Sequence, residues 1–505
     1  MLRYLIAKAS MPNSFAYLML FVWPLVALVL FRTLPLSKAL IWTILGGYLF
    51  LPSATGIKIP MIPTIDKISV PTVSAAFFCL IYEWRETLLS RRGAERVRPP
   101  KPRGRVLIVG LLVVLFVTPI LSVLNNAEPI IVGVRFIAGL RIYDAFSMIS
   151  STLVAVLPFL LGWRYLSGPE AHRHLITAFA VAGLIYSLPV LFEVRMSPQL
   201  HTWIYGFFPH DFIQHIREGG FRPVVFLSHG LLVGVLMCIA ILASLTLWRE
   251  ALREGRAGRR WLLAAAWLMG VLLLSKNLGA TAITVFVGTI VLLGGRRLQA
   301  IVAAFVAVVV LLYPMLRGAG VVPVDAVYEF AQSISDERAR SLKFRLDNED
   351  ALLAHANEKP LSGWGSWGRN QLFDPETGRM VSVTDGMWVI LIGIYGWLGY
   401  VAHFGLLTLP LLFYAYRRKQ FSASLITPGL GLILSAILID LLPNAGLVPY
   451  VWLVAGALTG FGLRESAESV QAEMERAGPP LSRAHRGRRQ VARSAGAAAW
   501  AHRRG

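Results

Sequence analysis

The sequence predicts an all-α polytopic membrane protein of about 12–13 transmembrane helices with one large, partly helical outer loop. Three observations lead there. Of 505 residues, 56% are hydrophobic and only 15% charged, with mean hydropathy +0.61, whereas a soluble domain carries about 25% charged residues. That composition excludes a soluble globular enzyme. The apolar residues fall into runs of about 16 to 25, the length that crosses a roughly 30 Å hydrocarbon core as helix. Finally, Lys and Arg outnumber Asp and Glu, 49 against 28, and much of this excess lies in short connections between the apolar runs.

The expected spans run near 14–31, 39–56, 69–82, 106–124, 145–163, 175–193, 223–247, 261–275, 279–294, 299–316, 387–415, 423–442 and 445–463. The first three are short or broken by proline, so any of them is a candidate for a re-entrant piece. Residues 85–105 carry eight Lys/Arg and 249–260 carry five Arg, with Arg296, Arg297 and Arg417, Arg418, Lys419 in two further connections. The positive-inside rule puts all four on the cytoplasmic side. Even numbers of spans separate them, so the assignment is self-consistent. Residues 57–68, 125–144, 194–222, 317–386 and the turn at Lys276 then face the other side.

The chain divides accordingly. Residues 1–316 hold ten helices and the outer loop 194–222, residues 317–386 form the large outer loop, and 387–463 hold the last helices. Residues 464–477 extend the last helix until Pro479 and Pro480. The tail 464–505 has nine Arg against four Glu. It reads as a disordered cytoplasmic segment drawn to anionic headgroups; no folded reader of nucleic acid accompanies it. Cys79 and Cys238 lie inside spans, which leaves no disulfide scaffold and no zinc spacing. Walker, Rossmann and kinase motifs and internal repeats are absent, and no cleavable signal peptide is expected because the first apolar stretch is long enough to remain an anchor.

Function concentrates where ionisable side chains meet the outer mouths of the spans. The segment EVRMSPQLHTWIYGFFPHDFIQHIREGGFRPVVFLSHG (193–230) mixes Arg195, Arg217 and Arg222 with His201, His210, His215 and His229. Arg222 and His229 are seven residues apart, so a helix starting near 222 places them on one face, His229 about 10 Å deeper. An ionisable group there is a functional candidate; the alternative is a histidine bonded to a neighbouring helix beneath a snorkelling arginine. The spacing of His201, His210 and His215 matches no standard ligand pattern, so no metal is expected.

Residues 337–356 lack Pro and Gly and predict a helix, on which Arg338, Arg345 and Glu349 share a face with Leu342. Arginine's planar fork suits phosphate oxygens, and a plain ion pair between Arg345 and Glu349 is the competing reading. SGWGSWGRN follows, where Trp364 and Trp367 offer flat faces for sugar rings or for the membrane interface. VTDGMW then sets Asp385 at the start of a long apolar helix, either as a cap or as a general base toward a hydroxyl.

With these residues in place the chain resembles the O-antigen ligase and O-antigen polymerase superfamily of bacterial inner-membrane glycosyltransferases. The resemblance rests on R…GGFRPVVF, the SKNLGA turn, and SLKFR followed by PLSGWG, over roughly residues 190–400. It implies a GT-C-like fold in the inner membrane, a periplasmic large loop, a cytoplasmic C-terminus and a glycan linked to undecaprenyl diphosphate as donor. Arginines that contact the donor diphosphate in that family map onto Arg222 and Arg345, with Arg217, Lys276 and Arg338 as further phosphate contacts. Arg195, Asn348, Glu349, Trp364, Trp367 and Arg369 are the expected glycan contacts. Ligases carry a histidine where this chain has Asp385, which favours the polymerase or exopolysaccharide branch, with Asp385 or His229 as base and no cofactor or metal. Expected partners are lipid-linked donor and acceptor, membrane lipids, and polysaccharide-assembly proteins such as a chain-length regulator or flippase. A ligase acting on lipid A core and a lipid-linked glycan transporter are the alternatives; against the transporter, deep ionisable groups are few, mainly His403, Asp440 and His229.

Overall fold

A computed structural model describes residues 11–60, 62–90, 104–217, 219–334, 336–417 and 424–477. The tail after 477, Arg418, Lys419, most of the 85–105 basic run, and the side chains of Arg217 and Arg338 lie outside the described residues. Every expected span contains a helix. In chain order these are α1 (Ser14–Thr33), α2 (Leu36–Phe50), α3 (Ser69–Ser90), α4 (Gly104–Leu124), α5 (Ile142–Tyr165), α6 (Pro169–Met196), the short α7 (Leu200–Tyr205) and α8 (Gly230–Arg253). There follow α9 (Arg259–Leu274), α10 (Leu278–Leu293), α11 (Arg296–Gly318), α12 (Val324–Ile334), α13 (Asp336–Ala356), α14 (Met387–Tyr416), α15 (Ile426–Asp440) and α16 (Pro449–Ala477). Among the described residues the only sheets are three two-stranded hairpins, of which β5 (Ile216–Arg217) pairing with β6 (Gly220–Phe221) bears on the site; β1–β2 and β3–β4 lie at residues 56–66 and 130–137.

Among the described residues, seven helices are long and apolar enough to cross a membrane (α1, α4, α5, α6, α8, α11, α14), and four shorter apolar helices accompany them. The chain is thus a largely α-helical protein with the features of a polytopic membrane protein. Helix α8 lies at the centre, with 89% of its apolar window buried against α6, α9, α10 and α15. A helix that is hydrophobic all round belongs in such a position.

The connections gather at two ends. At one end Glu250 of α8 accepts hydrogen bonds from Leu425 N and Ser424 Oγ and pairs with Arg253, and Arg249 donates to the carbonyls of Val291 and Gly294. This end carries the arginine-rich connections. At the other, Ser53 meets His201, Asn125 meets Ser362, Asn277 meets Gly230 and Met387 meets Leu441. The large loop folds onto this second end.

Candidate functional site

The loop 222–229 corrects the expectation of a helix beginning near 223. Helix α8 starts at Gly230, and His229 is its N-cap, with Nδ1 accepting from Leu231 N–H at 3.0 Å. Hydropathy alone does not distinguish the apolar stretch PVVFLS from helix; hydrogen bonds from outside do. Glu193, fully buried at the end of α6, accepts from Val224 N (2.8 Å), Val225 N (2.7 Å) and Leu200 N (3.0 Å). Tyr186 Oη accepts from Phe226 N at 3.0 Å, while Ser53 Oγ and Lys67 Nζ donate to the Phe226 carbonyl. With four outside groups satisfying its backbone, the segment is held as a rigid loop, even to the cost of a positive φ of 54° at the β-branched Val225.

That loop presents Arg222 and His229 at one mouth. The aliphatic stem of Arg222 lies on the backbone of Gly230, where a Cβ would meet its Cγ at 2.4 Å, so only glycine leaves the arginine its place. Arg222 N donates to His215 O, bringing the 210–215 segment alongside. The rings of His210 and His215 stand 4.7 and 4.8 Å from that of His229.

Helix α13 covers the same mouth. Arg317, at the end of α11, donates to Asp350 Oδ2 (2.8 Å) and to the Leu346 carbonyl, and so anchors it. Asn348 Oδ1 accepts from Val383 N at 3.0 Å, fastening the strand-like approach to Asp385 along the helix. Arg345 then meets Asp385, Nε to Oδ2 at 3.4 Å, both about one-third exposed. The N-cap of α14 is Gly386 with no side-chain bond, so Asp385 is not the capping residue; it faces the arginine.

Electrostatics tie these groups together. Burial first, then His215, His210, Arg222 and Arg345, hold the His229 imidazole down to about 3. It is therefore neutral at ordinary pH. Because Nδ1 accepts from the backbone, the neutral ring carries its proton on Nε2. His229 in this geometry presents Nε2–H as a hydrogen-bond donor toward the mouth. Glu349, only 6% exposed, is pushed up to about 7, mainly by burial, with Asp350 and Asp385 raising it and Arg317 and Arg345 opposing.

Nitrogens of His210, His215 and His229 lie within 4.8 Å of one another, close enough to be tested against a metal. The fit is poor: His229 Nε2 carries a proton while Nδ1 serves as the cap, and Arg222 and Arg345 make the surroundings cationic. His201 stays apart from this group, its Nδ1–H donating to Phe207 O and its Nε2 accepting from Ser53 N.

The remaining expected contacts divide. Trp364, partly exposed, donates to His355 O, stacks on the His355 ring at 4.4 Å and has Lys359 Nζ 4.4 Å over it. The PLSGWG stretch closes a break in α14. Gly396 there has φ +70°, which frees the carbonyls of Gly393 and Ile394, and Trp364 N and Gly365 N bind them at 2.7 and 3.0 Å. Arg369, 2% exposed, donates to the carbonyls of Trp364, Ala138 and Glu128. Its guanidinium is thus taken up by backbone carbonyls rather than turned outward. Trp367 and Arg195 are exposed, and Lys276 sits in the turn with φ +57° beside Asn277, whose Nδ2 donates to Gly230 O.

Glu193 and Arg317 escaped the sequence reading because each sits at the end of an apolar run, where a charge looks like a boundary. Their ends of α6 and α11 are where the mouth is assembled.

Fold and site together define a class: a polytopic α-helical protein whose central helix opens, at the end opposite its arginine-rich loops, under two arginines, a neutral histidine and two carboxyls. No family model and no curated protein matches the chain.

Proposed function

We propose that this protein polymerises oligosaccharide repeat units carried on undecaprenyl diphosphate, at the periplasmic face of the bacterial inner membrane, as a GT-C-like glycosyltransferase. The observation that carries the reading is the convergence of Arg222 and Arg345 on one mouth, with Asp385 held against Arg345. Guanidinium forks suit a diphosphate, and stabilising charge on a leaving group is commonly the largest catalytic contribution.

In the proposed reaction a hydroxyl oxygen of the acceptor sugar attacks the anomeric carbon of the donor. The anomeric C–O bond to the diphosphate breaks, the electron pair leaves with the diphosphate, and the configuration inverts. Arg222 and Arg345 take the growing negative charge, and His229 donates Nε2–H to the same group. A diphosphate on Arg345 competes with Asp385 for its guanidinium. The released carboxylate accepts the hydroxyl proton, so donor binding arms the base. The chemistry asks for no metal, and a chelator is expected to leave it intact. Asp385, in place of the ligase histidine, favours a polymerase over a ligase.

Asp385→Asn keeps the shape of the side chain and removes its basicity. The expected result is a fall in turnover of about 10²- to 10⁴-fold with donor binding retained, measured by chain extension and by diphosphate binding. Unchanged turnover removes Asp385 from the role of base.

Glu349 sets a pH dependence. It is protonated below about 7 and ionises above, adding a negative charge beside Arg345. The KM for the diphosphate-linked donor is expected to rise as pH goes from 6 to 8, and Glu349→Gln should flatten that rise. A pH profile identical in the two proteins contradicts this. The same shift has a stability consequence. A carboxyl whose folded value lies above its ordinary 4.5 stabilises the fold fully below that value, and the contribution is lost as pH rises through about 7.

A further inference from the structure

A cavity of about 550 Å³ opens on the other side of the 222–229 loop. Its walls come from three connections at the same end of the molecule: residues 53–68 after α2, Ser228 beside the site histidine, and residues 445–448 between α15 and α16. We propose that this cavity binds the growing-end saccharide of the acceptor, with an acidic sugar substituent set toward Lys58. This rests on the transferase reading above and adds to it where the second substrate sits and what chemistry it carries.

Size, lining, charge and position support it. The volume falls in the range of small-molecule sites, roughly 300 to 1,000 Å³. The lining mixes hydroxyls (Ser53, Thr55, Ser228) with apolar walls such as Leu447, which suits a ring that has both polar edges and C–H faces. As to charge, Lys58 is exposed and Lys67 is 8% exposed, its amine donating to Ser53 Oγ and Phe226 O at 2.9 Å. The acidic member, Asp66, turns its Oδ1 to the backbone N–H of Ile68 and Ser69, capping α3. Burial holds the Lys67 amine down to about 7, with Asp66 opposing, so the exposed Lys58 is the lining's full positive charge and the group set toward an acidic substituent. Ser228 lies on this wall and His229, the next residue, lies at the arginine mouth, so one peptide unit separates the two chambers.

The test is calorimetric titration of the purified protein in lipid nanodiscs with tetraglucuronate, with a neutral glucose tetrasaccharide, with glycerol 3-phosphate and with inorganic diphosphate. Tetraglucuronate is expected to bind at least tenfold more tightly than the neutral sugar, and Lys58→Ala should erase that preference. Ala445→Trp, at an exposed position on the rim, fills the cavity and should abolish saccharide binding while leaving diphosphate binding intact. Tetraglucuronate binding unchanged in Ala445→Trp, or absent from the wild type, overturns the proposal. So does binding of glycerol 3-phosphate that Ala445→Trp abolishes while no saccharide binds, since that marks a lipid headgroup site. Diphosphate binding reports separately on the arginines: its absence from the wild type, with saccharide binding retained, sinks the transferase reading and not the cavity.

Discussion

Arg345→Ala and Arg222→Ala are each expected to abolish long-chain polysaccharide while leaving protein level and membrane insertion intact. Loss of one preorganised donor to a developing oxyanion costs about 10²- to 10³-fold in rate, and a leaving diphosphate makes greater demands than a single oxygen. Polymer growth multiplies the effect, because every added repeat requires the step again. The fold should survive either change. Arg345 is about one-third exposed and its ion pair with Asp385 is long, at 3.4 Å, so such a pair contributes little to stability. Arg345→Lys is the sharper control, since it keeps the charge and removes the fork; an intermediate rate is expected. Wild-type chain length in either alanine variant removes the diphosphate clamp.

Glu193→Ala should act in the opposite manner, on the fold rather than the chemistry. It strands the N–H groups of Val224 and Val225 in a fully buried place, and that of Leu200 in a partly buried one. Each buried, unsatisfied group costs about 1–3 kcal/mol, so the two buried ones cost roughly 2–6 kcal/mol, against a total stability of about 5–15 kcal/mol for an ordinary domain. The expected outcome is loss of most folded protein, read as detergent-solubilised yield and thermal midpoint, with Glu193→Gln in between because one carbonyl oxygen remains. A midpoint equal to wild type would show that Glu193 is not what holds the loop.

The helices were legible because a membrane span announces itself by length and hydropathy; even α13, read from an absence of Pro and Gly over 337–356, appears as Asp336–Ala356. The site was legible in composition and not in geometry. Arg222 and His229 do converge, but through a pinned loop, not a shared helix face. Nothing in PVVFLS marks it as loop, since its specification lies in Glu193, Tyr186, Ser53 and Lys67, between 31 and 173 residues away from the groups they bind. The histidines were similarly misgrouped, because His229 joins His210 and His215 only after the chain folds back, while His201 is drawn off to Phe207. Trp364 and Arg369 carried the right chemistry for sugar, while the bonds of Trp364 N to the break in α14 and of Arg369 to the carbonyls of Glu128 and Ala138 were not legible.

The most direct measurement incubates the purified protein with a lipid-linked oligosaccharide repeat unit, without nucleotide and with a chelator, and resolves the products by size. A ladder of longer chains still linked to undecaprenyl diphosphate, absent from Arg222→Ala and Arg345→Ala, is the result predicted here. Repeat units that stay unextended, or that only change membrane leaflet, would contradict it.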